Sequence, residues 1–282
     1  VDPELLRNEY TKLLAFCEGS SESRGEPSGG PSLDSFLLFA RHLATYEMVE
    51  EYMGRDVLEV GCFLGYGSAV LSNRGHDVTA IDLDAKAIEF ASSRSTARFV
   101  QADAADMPFE DASFDSVVGL QVLEHLSDVS ADLFISGCYR VLRPGGNLIL
   151  ATPNKAFRLM PGQKPFNPEH VRELTARQVR ELLSGRFDDI TIKGTRATGW
   201  LEDAEKKRVG RSAIRAYVLT PGSKLAKKVA PGLVKRQGPP AKASPGLDEL
   251  FATVPDVNLA DFRFVDEVDI RAMEIIVIAR KS

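Results

Sequence analysis

Cysteine is scarce and unpatterned: Cys17, Cys62 and Cys138 form no C-x-x-C spacing. This argues against a disulfide framework or a thiolate metal site and fits a reducing compartment. No apolar run reaches the roughly 18 residues of a membrane-spanning helix, and no secretory leader is recognised. A cytoplasmic protein is therefore expected. Neither charge dominates. With 35 Lys/Arg against 40 Asp/Glu, the net charge of −5 excludes a chain that binds polyanions over its whole surface. Histidine is rare too. His42, His76, His125 and His170 are scattered without a ligand spacing, so no metal is expected.

What remains is ordinary globular composition, 44% hydrophobic and 27% charged over 282 residues. That length holds one large domain, or a domain with an insertion, whose core needs no covalent staple. Residues 1–33 read as an N-terminal helix (1–16) followed by a flexible Gly/Ser/Pro-rich loop. Asp34 or Ser35 can cap a second helix running to about Met53, with apolar residues at helical spacing. Apolar strands at 57–60, 78–81, 98–101, 116–120 and 147–152 then alternate with helical patterns at 66–74, 85–93 and 128–142. The alternation predicts an α/β fold, a parallel sheet with helices on both faces. Arg143-Pro-Gly-Gly146 is expected to turn tightly into the fifth strand. A helix near 175–184, a strand near 189–193 and a last strand near 273–279 complete the pattern.

The most informative segment is Val57-Leu-Glu-Val-Gly-Cys-Phe-Leu-Gly-Tyr-Gly67 with Val78-Thr-Ala-Ile-Asp-Leu-Asp84. A strand enters a glycine-rich turn that opens a helix, and the next strand ends on a carboxylate. Glycines let backbone approach a ligand, and Asp82 stands where a carboxylate can accept from both hydroxyls of a ribose. A nucleoside-containing cofactor is expected. The spacing is not the G-x-G-x-x-G of a dinucleotide turn. Acidic Glu59 is unfavourable beside a pyrophosphate but suits an ammonium and a sulfonium. The choice tilts from NAD to S-adenosylmethionine.

Four segments together resemble the class I S-adenosylmethionine-dependent methyltransferases of the small-molecule, natural-product type. Leu58-Glu-Val-Gly-Cys-Phe-Leu-Gly65 is similar to the cofactor turn, and Ala80-Ile-Asp-Leu-Asp84 to the ribose-binding strand end. Val100-Gln-Ala-Asp-Ala-Ala-Asp-Met-Pro-Phe109 is similar to the adenine loop. Phe114-Asp-Ser-Val-Val-Gly-Leu-Gln-Val-Leu-Glu-His-Leu126, with Val141-Leu-Arg-Pro-Gly-Gly146, resembles the fourth strand, its helix and the turn before the fifth. The resemblance implies a Rossmann-like, doubly wound seven-stranded sheet with an antiparallel last strand. The methyltransferase domain would be 34–195 plus 263–282. It implies cofactor contacts by Glu59, Gly61, Gly65, Asp82, Leu83, Asp103, Ala104 and Gln121. Phe63 departs from the pattern, standing where the family usually has glycine.

Residues 196–262 shift in composition: between Glu202 and Pro245, eleven Lys/Arg face three acids, and prolines forbid one long helix. This reads as a basic, helical lid over the acceptor site. Its 206–236 stretch is open to three readings: a solvated surface, a contact with membrane or an anionic lipid-linked acceptor, or nucleic acid. The last is least supported, because stacking aromatics are few. Transfer to oxygen profits from a general base, for which His125 and His170 are the candidates. His42 reads as packing or a cofactor contact, and His76 as a surface turn residue. The expected activity is O-methylation of a small molecule, sugar or glycolipid. The alternatives are N- or C-methylation, a nucleic-acid or protein acceptor, or a catalytically silent binding protein.

Overall fold

Strand β1 (Asp56–Val60) shows how the sheet is written into the sequence. Successive side chains of a strand point to opposite faces. Leu58 and Val60 enter one core with Phe134, Ile135 and Cys138. Val57 enters another with Tyr46, Val49 and Leu71. The same alternation separates Leu148 and Leu150 from Ile149 and Ala151, and Ile275 and Val277 from Ile276 and Ile278. A strand buried on both faces is the expected product of an unbroken apolar run.

The computed structural model describes residues 3–19, 32–165, 167–214, 246–253 and 257–282. After α1 (Pro3–Gly19), α2 (Leu33–Val49) and β1 come α3 (Tyr66–Asn73), β2 (Asp77–Asp82), α4 (Ala85–Ser92), β3 (Arg98–Gln101) and β4 (Phe114–Leu120). Then follow α5 (Asp128–Val141), β5 (Leu142–Pro153), α6 (Lys155–Arg158), α7 (Ala176–Leu183), β6 (Asp189–Ala197) and α8 (Gly199–Ile214). The last elements are α9 (Leu247–Thr253), β7 (Phe262–Val265) and β8 (Glu274–Arg280). The sheet order is β3-β2-β1-β4-β5-β8-β6-β7. β1 to β5 pair in parallel, and β8 lies antiparallel between β5 and β6. Helices α5 and α7 cover one face, and α2 and α3 the other.

Several expectations are corrected. The sheet has eight strands rather than seven, because β7 adds to the β6 edge, with Gly194 opposite Val265. The cap of α2 is Ser32, not Asp34 or Ser35. Its extended backbone frees its side chain to accept from the Ser35 N–H, while Asp34 sits in the first turn, where a negative charge is favoured. The 143–146 turn lies within β5. Leu142 pairs with Phe114 and Asn147 with Ser116, so the extra residues form a bulge. His76 is half-buried, with Nδ1 2.8 Å from the Gly54 carbonyl. Residues 196–197 of the expected lid belong to β6. α8 buries Leu201, and α9 buries Leu250 against the cluster that holds Leu6 and Tyr10 of α1. Residues 215–245, most of the basic stretch, lie outside the described residues, as does the loop at 20–31.

Candidate active site

The carboxyl ends of β1, β2 and β4 open onto a cavity of about 760 Å³. Beyond β1 the chain folds back, with the N–H groups of Gly61 and Cys62 donating to the Ile81 carbonyl at 2.8 and 3.0 Å. Gly61 has φ +74°, and a Cβ there would come 2.6 Å from Val122. Both the conformation and the space demand glycine. Phe63 follows at φ +46°, a left-handed conformation unusual for a side-chain-bearing residue. Its N–H donates to Asp82 Oδ2 at 2.9 Å, and the Asp84 N–H donates to Oδ1 at 2.9 Å. Asp82 thereby ties the turn to the end of β2. A carboxylate with one donor on each oxygen keeps acceptor capacity for a ligand.

Eight of the ten residues selected from sequence line this one cavity: Gly61, Asp82, Leu83, Asp103, Ala104, Gln121, His125 and His170. The other two stand behind it. Glu59, expected at the cofactor, points with the α2 and α3 face of β1. It is fully buried and accepts from the hydroxyls of Tyr46 and Ser68. Burial pushes its carboxyl up to about 7, against the pull of those two hydrogen bonds. A Cβ on Gly65 would meet Ala91 at 2.8 Å and the Phe99 ring at 2.9 Å, so this glycine serves helix packing. Asp103 closes a local turn by accepting from the Ala105 N–H at 2.8 Å, and Leu83 is 58% exposed.

Gln121 ends β4 at φ +59°, its N–H bonded to the Ala151 carbonyl at 2.8 Å. Strained backbone at a strand end beside a cavity is a mark of functional sites. Its side chain donates to Glu274 Oε1 at 2.9 Å. Glu274 also meets Arg41 Nε at 3.1 Å, and Arg41 reaches Glu205 at 3.4 Å. These three buried charges were not foreseen; scattered at 41, 205 and 274, they carry no local signal. His42 also lines the cavity, with Nδ1 2.7 Å from the Tyr66 hydroxyl. Burial and the neighbouring Arg41 push it down to about 3, so its imidazole is neutral.

The far end of the cavity holds the histidines that looked scattered. Asn154 pins the segment after β5 by donating to the carbonyls of Asp269 and Ala272 at 2.9 and 2.8 Å. The Arg172 N–H reaches the Glu124 carbonyl at 3.3 Å. His170 is thus laid over the end of β4, its ring centroid 4.9 Å from that of His125 and nearly perpendicular. His125 Nδ1 lies 3.2 Å from the Glu169 carbonyl, and His170 Nδ1 3.1 Å from Glu173 Oε1. Burial and the adjacent His170 lower the His125 pKa. Glu124, part of the fourth-strand motif but not singled out, is fully buried. It accepts from the Thr152 hydroxyl at 3.1 Å, and burial lifts it to about 8. A second cavity, of about 620 Å³, lies by the amino ends of the strands, with Asp56, His76, Arg98 and Arg143 in its wall. It holds none of the residues selected from sequence.

Residues 58–150 match the family model of a methyltransferase domain. A protein of Mycobacterium tuberculosis named "Probable S-adenosylmethionine-dependent methyltransferase" is 35% identical over 231 residues, covering 80% of this chain and 76% of the relative. A ubiquinone biosynthesis O-methyltransferase of Xanthomonas oryzae is 34% identical over 161 residues, covering 54% of this chain and 62% of its own. The fold is shared with SAM-dependent methyltransferases from Thermotoga maritima and Archaeoglobus fulgidus. The first has a TM-score of 0.56 at 12% identity, over 88% of this chain and 94% of that one. The second has 0.53 at 16% identity, over 95% and 99%. Motif order, strand order, turn geometry and these likenesses converge: the chain belongs to the class I S-adenosylmethionine-dependent methyltransferases and is an enzyme of that family.

Proposed function

We propose that this enzyme methylates a hydroxyl oxygen of a small molecule, sugar or glycolipid, and that His125 and His170 act on that hydroxyl. The observation that carries the reading is their pairing in the wall of the cavity that also holds Gly61, Asp82 and Gln121. The name of the Xanthomonas relatives, ubiquinone biosynthesis O-methyltransferase, supports oxygen as the methylated atom.

The residues present fit the cofactor. Gly61 presents bare backbone in the cavity wall, and Asp82 keeps acceptor capacity there. In this reading Asp82 accepts from the ribose hydroxyls. Leu83 covers one face of the adenine, with Asp103 and Ala104 at its edge, while Gly61 and Gln121 flank the methionine portion. S-adenosylmethionine supplies a methyl group already activated on a sulfonium. From behind the turn Glu59 favours positive charge, because a cation in front of a carboxyl shifts it towards its ionised form. The chain's task is to align the acceptor oxygen with the methyl and to promote loss of the hydroxyl proton. His125 and His170, in the wall of the same cavity, are the side chains offered for that task. The basic 206–236 stretch, with Leu225, Val229 and Leu233 among its cations, suits a lipid-linked acceptor at an anionic surface.

The test is transfer of a labelled methyl group to panels of phenols, glycans and glycolipids. Transfer to oxygen, lowered roughly 10²- to 10⁴-fold in His125→Ala or His170→Ala, is expected, with S-adenosylhomocysteine affinity retained. Label found only on nitrogen, carbon or nucleic acid would refute the reading.

A further inference from the structure

We propose that Glu124, His125 and His170 bind a divalent transition-metal ion at the acceptor end of the cavity. One ligand atom from each of the three residues lies within 4.8 Å of the others. Each side chain is already held through one atom and offers another. His125 places Nδ1 on the Glu169 carbonyl and His170 places Nδ1 on the Glu173 carboxylate, which leaves each Nε2 with its lone pair. A histidine bonded through its other nitrogen to a carboxylate or carbonyl is how proteins orient metal ligands. Glu124 Oε2 accepts from the Thr152 hydroxyl, while Oε1 is buried and has no hydrogen-bond partner among the described residues. Glu124 is fully buried and lines the cavity, so this oxygen is open to a cation that displaces the proton.

The support continues outwards. Glu173, the acceptor for His170, is itself held by Arg158 at 3.3 Å, and both are almost fully buried. Two imidazoles and one carboxylate select a zinc-, cobalt-, manganese- or iron-like ion over magnesium or calcium, which take oxygen sets. Three protein ligands beside a cavity leave a position open for a substrate oxygen. What the ion does there rests on the O-methylation reading; its binding does not. It lowers the pKa of the acceptor hydroxyl, whose proton leaves to solvent. The oxygen lone pair forms the C–O bond as the C–S bond breaks, and that electron pair stays on sulfur as a neutral thioether.

The test uses the full chain without a polyhistidine tag, stripped with a chelator. It is titrated with Co²⁺, read by d–d absorption, and with Zn²⁺, read by calorimetry. A single ion is expected, bound at least roughly tenfold more weakly by His170→Gln and by Glu124→Gln. S-adenosylhomocysteine affinity reports that each variant remains folded. Absence of stoichiometric binding by the wild type, or equal binding by folded variants, overturns the site. Methyl transfer to oxygen that collapses on chelation and returns with the metal supports the assigned role. Undiminished transfer after chelation overturns that role. A bound ion with transfer only to nitrogen or carbon keeps the site and sinks the O-methylation reading.

Discussion

Gly61 is constrained twice, by its positive φ and by the Val122 methyl that a Cβ would strike. Gly61→Ala is expected to cost about 2 kcal/mol or more in urea unfolding, from left-handed strain and the clash together. Asp82 is both a brace and a candidate ligand group. Asp82→Ala should weaken S-adenosylhomocysteine binding by about 1–3 kcal/mol, because it removes acceptors for the ligand and for the Phe63 and Asp84 N–H groups. Unchanged affinity would remove Asp82 from the site. Glu59 gives a pH prediction with a definite sign. Its carboxyl is raised in the fold from 4.5 to about 7. A raised folded pKa means that the native state binds the proton more tightly. The contribution is fully present below 4.5 and is lost as pH rises through 7. The stability difference between wild type and Glu59→Gln, followed by urea titration from pH 5 to 8 without ligand, should therefore shift against the wild type as pH rises. A difference that is flat across that window would contradict a carboxyl whose burial outweighs its two hydroxyl hydrogen bonds.

At the scale of elements, α2 is fastened by charge as well as by its apolar face. Arg41 on α2 joins Glu274 at the start of β8 and Glu205 on α8. Arg41→Ala removes the cation 3.1 Å from buried Glu274, while Glu205 keeps Arg208 at 2.7 Å, and should destabilise the protein by about 3 kcal/mol. A loss near zero in the denaturation midpoint would show that the cluster is loosely held. This clamp also marks the boundary of what the sequence makes legible. The strands and helices from β1 to β5 could be read because each carries its own period of apolar residues. The glycine-rich turn and Asp82 could be read together because they sit within one strand–turn–helix–strand unit. β7 was not foreseen: Phe262-Arg-Phe-Val265 is four residues long and gains its meaning from β6, far upstream. The full length of β6 was missed because Lys193, Gly194, Thr195 and Arg196 break the apolar run. Arg41, Glu205 and Glu274 would each be solvated in isolation, and only the fold brings them together. His125 and His170 were chosen singly. Their pairing, and the part of Glu124, depend on a segment pinned by Asn154 through contacts to residues more than a hundred positions away.

At the scale of the molecule, the question is how residues 215–245 divide labour with the sheet. The cavity-lining residues proposed to hold the cofactor (Gly61, Asp82, Leu83, Asp103, Ala104 and Gln121) all come from the stretch between Gly61 and Gln121. Both flanks of the basic stretch are anchored in one hydrophobic cluster. α8 is held by Leu201 and Glu205, α9 by Leu250 in the cluster shared with α1 and α2. Arg208 of α8 stands in the wall of the cavity that also holds His125 and His170. If 215–245 serves the acceptor alone, replacing it by a Gly/Ser linker should leave S-adenosylhomocysteine affinity within about twofold. The acceptor KM should rise about tenfold or more, which corresponds to about 1.4 kcal/mol of lost binding. If the acceptor meets the enzyme at an anionic lipid surface, the intact chain should also lose vesicle binding as salt rises, since exposed charges are screened within about 10 Å at 0.1 M. The linker variant should show no such dependence. Loss of cofactor affinity with acceptor KM unchanged would instead place the basic stretch over the nucleoside and move the acceptor entrance elsewhere.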